Sequence, residues 1–134
     1  MSRKQDCKTR YPILLAHGLG VTEHGGLYVP WGRVPDMLRA RGAEVCFGGQ
    51  DAWGSIETGA AQLGETVRKM RHLYGCERVN IIAHSKGGLE ARHLISAMGY
   101  GKYVASLSML STPNRGSRVA ELLLYACLLY TSDA

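Results

Sequence analysis

The sequence predicts an α/β protein, a three-layer α/β/α sandwich built on a mostly parallel sheet. Three observations lead there. Short continuous apolar runs at Pro12–Ala16, Val79–Ala83 and Val104–Leu110 have the length of buried strands. Segments with helical periodicity lie between such runs, so the two element types alternate. Alternation of that kind builds right-handed βαβ units around a parallel sheet. The 134 residues make room for one domain, and no internal repeat or low-complexity linker divides them.

In chain order, residues 1–10 form a polar, basic lead-in. The first strand, Pro12–Ala16, runs into a glycine-punctuated loop, His17-Gly18-Leu19-Gly20, which continues through Gly25 and Gly26. Trp31–Arg41 reads as a helix: Pro35 suits its first turn, Val34, Leu38 and Arg41 share one side, and Gly42 stops it. Glu44–Phe47 is a second strand, followed by a loop from Gly48-Gly49 through Asp51 and Trp53. The helix Ser55–Tyr74 carries the clearest pattern. Ile56, Ala60, Leu63, Val67, Met70 and Tyr74 alternate spacings of four and three, which makes one apolar face. Arg68, Lys69, Arg71 and His72 sit in its last turns, where cations suit the helix dipole, and Gly75 ends it. The strand Val79–Ala83, a helix Gly88–Met98, the strand Val104–Leu110 and a helix Ser117–Tyr125 complete the order. Met37, Met70, Met98 and Met109 read as core; Trp31 and Trp53 could line an acyl pocket, with core packing or loop anchoring the competing role for both.

Composition sets the first limits on function. Apolar residues make up 46%, which excludes a disordered tail or a fibre. Sixteen Lys and Arg against eleven Asp and Glu leave a net charge of +5, too diffuse to name a partner. No finger, homeodomain or stacking motif accompanies it, so nucleic acid is not the expected partner. The basic end of the Ser55–Tyr74 helix could form a phospholipid or nucleic-acid patch, but its amphipathic setting favours a solvated face. Cys7, Cys46, Cys76 and Cys127 form no C-x-x-C pair and no disulfide framework, so free thiols and a reducing compartment are expected. The polar start predicts no secretory signal, no apolar run reaches membrane-spanning length, and a cytoplasmic location is expected, with secretion of the parent protein left open.

The chemistry concentrates in Val79-Asn-Ile-Ile-Ala-His-Ser-Lys-Gly-Gly88. A buried strand runs directly into Ser85 and a helix follows at once. That is the arrangement of a nucleophile elbow, a strained strand-to-helix turn that presents a hydroxyl above the sheet. The turn needs small residues two before and two after the serine, and Ala83, Gly87 and Gly88 supply them around His84, Ser85 and Lys86. The usual G-x-S-x-G becomes A-H-S-K-G here. The backbone N–H of Lys86, at the helix start, points where an oxyanion would form. The loop His17-Gly18-Leu19 offers a second donor, the N–H of Leu19. Both loops leave the carboxyl ends of strands, where ligands bind in open α/β sheets. The competing reading, a serine that merely caps a helix, does not account for the upstream strand and His-Gly loop.

Three segments together resemble the bacterial triacylglycerol lipases and esterases of the α/β-hydrolase fold: Tyr11-Pro-Ile-Leu-Leu-Ala-His-Gly-Leu19, Val79-Asn-Ile-Ile-Ala-His-Ser-Lys-Gly-Gly-Leu89 and Ser111-Thr-Pro-Asn-Arg-Gly-Ser117. The likeness runs in register from Tyr11 to about Leu124, and Gln50-Asp-Ala-Trp-Gly-Ser-Ile56 also resembles related esterases. The family often has histidine where Asn114 stands. The resemblance implies a serine carboxylic-ester hydrolase acting on an acyl ester or lipid through an acyl-enzyme. Ser85 then matches the nucleophile, Leu19 and Lys86 the oxyanion-hole residues. It calls for no cofactor, and no metal within these residues. A lipid or thioester acyltransferase on the same fold, or a non-catalytic hydrolase-like module, would share the elbow.

Serine needs a histidine base and a carboxylate, which in this fold follow it in the chain. No histidine follows His93. His17 belongs to the oxyanion loop, His84 points away from the base position, His93 lies along the elbow helix, and His24 and His72 read as surface residues. The chain is therefore expected to hold the nucleophile-bearing part of the fold, residues 11–126, with little activity of its own. Val104–Leu110 then becomes an exposed apolar edge. Cys127-Leu-Leu-Tyr-Thr-Ser-Asp-Ala134 resembles the translation of a sequencing-library transposase adapter, and residues 127–134 are expected to be a non-native tail.

Overall fold

A computed structural model describes residues 4–22, 25–26 and 31–122. In chain order these give β1 (Ile13–Ala16), β2 (Val21–Thr22), β3 (Gly25–Gly26), α1 (Val34–Ala40), β4 (Val45–Phe47), α2 (Ile56–Tyr74), β5 (Val79–His84), α3 (Lys86–Ser96), a 3-10 turn Tyr100–Tyr103 and β6 (Val104–Leu110). Among the described residues the main sheet runs β4-β1-β5-β6 and every pairing in it is parallel, while β2 and β3 form a separate two-residue antiparallel ladder. Leu14 stands opposite both Cys46 and Ile81, which centres β1 and β5 in the sheet.

Strand periodicity divides the core. Leu14 and Ala16 of β1, with Val79, Ile81 and Ala83 of β5, face a cluster with Ala60, Leu63, Val67 and Met70 of α2 and Ala91 and Leu94 of α3. Ile13 and Leu15 turn the other way, onto Trp31, Ala43 and Val45, with Leu38 of α1 packed alongside. One helix thus covers one face and two cover the other, which makes three layers. Burying each large aliphatic side chain of this kind stabilises the fold by about 1.5–3 kcal/mol.

Ser55 caps α2 by accepting the Thr58 N–H at 3.1 Å, and Gly75, at φ 58°, closes it in the left-handed conformation. The predicted face is the one that packs: Ala60, Leu63, Val67 and Met70 are buried, Ile56 and Tyr74 half-buried. The helix expected at Trp31 starts only at Val34, because Gly32 takes a positive φ of 51°. Its inner side is Trp31, Pro35 and Leu38; Val34 is exposed, and Arg41 forms an ion pair with Asp6. Helix α3 begins at Lys86, two residues before the expected Gly88, and stops at Ser96. Residues 118–122 are helical, and the rest of the expected helix to Tyr125 lies outside the described residues, as do 127–134 and His24.

The methionine expectation needs correcting. Met70 is buried, but Met37, Met98 and Met109 are 54%, 40% and 39% exposed. Met37 and Met98 lie at helix margins, and Met109 is on β6, the outer strand of the sheet, beside Leu110 at 47%. Trp53 likewise stands in solvent at 70% exposure rather than anchoring its loop. Cys7, Cys46 and Cys76 are free thiols, and no helix among the described residues is long and apolar enough to cross a membrane.

Candidate active site

β5 delivers Ser85 to the carboxyl edge of the sheet. Its backbone takes φ 53° and ψ −124°, a conformation that an L-residue adopts only when its surroundings impose it. Those surroundings are specific. The Ser85 N–H donates to Leu110 O at 2.9 Å, and its carbonyl accepts the Gly88 N–H and the Thr112 Oγ1–H, each at 3.0 Å. The two glycines after it are required by contact. A Cβ on Gly87 would stand 2.5 Å from His17 O and 2.8 Å from Ala16 O, and one on Gly88 would overlap the Thr112 side chain. Ala83 is wholly buried between the strand and its neighbours.

The upstream loop meets this corner. A Cβ on Gly18 would lie 3.0 Å from Ser85 Cβ, so the His17-Gly18-Leu19 turn packs directly on the serine. Lys86 is the first residue of α3, and its N–H has no partner within the helix. Leu19 is 43% exposed, and among the described residues its N–H makes no backbone hydrogen bond. Ser85 itself is half-buried, on the rim rather than in the core. Leu19 and Lys86 thus lie on the two segments that meet at Ser85.

Among the described residues lie His17, His72, His84 and His93. His17 is 2% exposed, and its Nδ1 donates to Gly18 O at 3.1 Å. His84, the last residue of β5, sits edge-on to Trp31 with ring centroids 6.5 Å apart, on the α1 side of the sheet. His93 is half-buried along α3 and His72 is exposed. Neither His84 nor His93 hydrogen-bonds the Ser85 hydroxyl. Asn114 receives the Arg92 guanidinium at 3.3 Å through Oδ1, a loop contact away from the serine. Among the described residues no three His, Cys, Asp or Glu side chains cluster as metal ligands would.

One layer below the elbow lies an ionic cluster. Glu90 is 1% exposed and pairs with Lys86 Nζ, one helical turn earlier. Helix α2 comes against it at Gly59, where any side chain would collide with the Glu90 carboxylate. Gln50, 4% exposed, donates from Nε2 to His17 O at 3.2 Å. Burial pushes the Glu90 carboxyl above its ordinary range; the hydrogen bond and charge of Lys86, the Gln50 amide and the His17 ring pull it back down. The cluster holds both segments of the serine corner, since Gln50 bonds the His17 turn and Glu90 bonds the Lys86 side chain.

No family model matches the chain. It is 35% identical over 115 residues to a triacylglycerol lipase of Pseudomonas fragi, covering 86% of this chain and 39% of that one. A triacylglycerol lipase of Vibrio cholerae is 34% identical over 123 residues, 91% of this chain and 38% of the relative. The mature lipase of Bacillus licheniformis superposes with a TM-score of 0.71 at 24% identity, over 91% of this chain and 48% of that structure. The chain has the α/β-hydrolase fold. It spans less than two fifths of the length of these triacylglycerol lipases.

Within this hydrolase fold, sequence reasoning placed Ser85, His17, Gly18, Leu19, Ala83, His84, Lys86, Gly87 and Gly88 around one corner, and all of them gather there. It missed Gln50, Thr112 and Glu90 as parts of the site. The i, i+4 spacing of Lys86 and Glu90 was the available signal for the ion pair. Nothing in the local sequence marked Thr112 as the clamp on Ser85, because that contact spans 27 residues.

Proposed function

We infer that these residues supply the nucleophile and oxyanion hole of a serine carboxylic-ester hydrolase acting on acyl esters of lipid character. The observation that carries this reading is the strained Ser85 backbone, with the Gly18 turn packed on its side chain. The Ser85 oxygen attacks the ester carbonyl carbon, and the developing oxyanion takes hydrogen bonds from the N–H groups of Leu19 and Lys86. Collapse of the tetrahedral adduct breaks the bond to the alcohol, which leaves with the serine's proton, and an acyl-serine remains. Water then attacks the same carbonyl and frees the acid. The proton moves through a histidine base, and neither His84 nor His93 is placed to take it from Ser85. Turnover by the polypeptide as written is therefore expected to fall on the order of a millionfold below that of a complete triad. The lipid character of the substrate rests on the relatives named triacylglycerol lipases.

The test is fluorophosphonate labelling read by peptide mass spectrometry, with Ser108 and Ser111, both exposed, as internal controls. With no base on Ser85, the oxyanion-hole amides alone are expected to make its modification faster than that of either control, and this excess, lost in Gly18→Val, supports the reading. Equal rates at the three serines overturn it.

A further inference from the structure

The basic end of α2 does more than face solvent. A cavity of about 330 Å³ opens between its last turns and the Tyr100–Tyr103 turn, and its walls include Arg68, Arg71, Lys102, Tyr100, Tyr103 and Met98. Arg71 closes α2 ahead of β5, and Tyr103 immediately precedes β6. The cavity therefore lies at the amino edge of the parallel sheet, opposite Ser85.

Its cations are held rather than loose. The Arg71 guanidinium lies 3.9 Å over the centroid of the Tyr103 ring, while its Nε donates to Glu77 O at 2.9 Å. Lys102 Nζ stands 5.1 Å from the same ring. Arg68 Nη2 donates to the Tyr100 hydroxyl at 3.3 Å. The Tyr100 and Tyr103 rings pack edge to face with centroids 5.5 Å apart, which stiffens the wall carrying all three. Among the described residues only Glu65 forms an ion pair with any of them, reaching Arg68 at 3.0 Å with both side chains more than half exposed. Such exposed pairs are weak, about 0–1 kcal/mol. Two positive groups share one aromatic ring and neither has a carboxylate partner among the described residues. That repulsion is relieved by an anion.

We propose that this cavity binds a phosphoryl group carried on a small apolar body, either a free phosphate monoester or a lipid headgroup. Guanidinium forks match phosphate oxygens in pairs, and an ammonium adds a point charge. The volume is at the lower end of small-molecule clefts, roughly 300 Å³, with Met98 and the Tyr100 ring left to meet an apolar portion.

The site does not involve Ser85, so it stands or falls apart from the hydrolase reading. The measurement is calorimetric titration of the full chain with phenyl phosphate at fixed ionic strength. Co-sedimentation with phosphatidylcholine vesicles, with and without phosphatidic acid, forms the second arm. Saturable one-to-one binding is expected, weakened roughly tenfold by Lys102→Gln and by Arg68→Gln. Lys102 and Arg68 are exposed, and an unchanged melting curve shows that the variants fold. Recruitment only to phosphatidic acid vesicles, lost in the Arg68→Gln/Lys102→Gln double variant, assigns the site to a headgroup. Binding of phenyl phosphate without recruitment assigns it to a free monoester. No binding in either arm, or binding that the double variant keeps, overturns the proposal.

Discussion

Replacing Lys86 by methionine isolates the ionic cluster beneath the elbow. The substitution keeps length and apolar character but removes the cation that faces Glu90, whose side chain is 1% exposed against 15% for Lys86. Breaking a buried pair from one side strands a charge, which costs about 3–5 kcal/mol. In a chain of this size that lowers the melting temperature by ~10 °C or more. The pH dependence carries a sign. Burial already raises the Glu90 carboxyl, so between the unfolded and folded values the folded chain binds more protons, and stability falls as pH rises through that window. Removing Lys86 takes away the largest influence pulling Glu90 down and extends the window upward. The Lys86→Met deficit should therefore be greatest at about pH 8 and fade as pH falls below about 4, where Glu90 becomes protonated in both states. Adding Glu90→Gln removes the stranded charge and should restore most of the loss, giving a clear coupling in a double-mutant cycle. Urea unfolding of the four proteins at both pH values is the assay. A Lys86→Met cost below ~1 kcal/mol at the higher pH, or no recovery in the double variant, would refute the reasoning.

Three further outcomes follow from the same contacts. Ser85→Gly should raise stability by ~1 kcal/mol, because glycine adopts the positive φ without strain, while abolishing fluorophosphonate labelling; thermal melts and mass spectrometry check both. Gly87→Ala should cost about 1–3 kcal/mol, since its methyl would press on the backbone carbonyls of Ala16 and His17, and should slow labelling of Ser85 by displacing the Leu19 amide. The Tyr74 phenol is pushed up to about 12, first by its hydrogen bond with Cys46 at 3.4 Å and then by burial, so ultraviolet titration should find a phenol still protonated above the ordinary tyrosine value of about 10; Cys46→Ala should bring it down.

What could be read from the sequence tracks how local the cause was. β6 and the Ser55–Tyr74 segment appear at their expected positions because an uninterrupted apolar run and a four-three spacing leave no other solution. The start of α1 was misplaced, since Gly32 acts through backbone freedom that an apolar pattern does not record. Met37, Met98 and Met109 look like core residues by type, yet their exposure depends on which elements lie against them. The elbow was legible because strand, serine and glycines are contiguous. Its support was not. Glu90 looks like a solvent-facing residue in a helix, and only the approach of α2 at Gly59 and the turn of Lys86 put it inside. Of the cavity at the opposite edge, Arg68 and Arg71 were visible at the basic end of α2, but the two tyrosines that hold them, and Lys102, come some thirty positions later.

The serine corner is gripped from a distance: its amide hydrogen by Leu110, its carbonyl by Thr112. During synthesis the hydroxyl thus has no defined pose when its own strand and helix emerge from the ribosome. It acquires one only after about thirty more residues have been made and the outer strand has docked. Reactivity at residue 85 is accordingly a marker of β6 docking, and a reagent that senses it would report on that step.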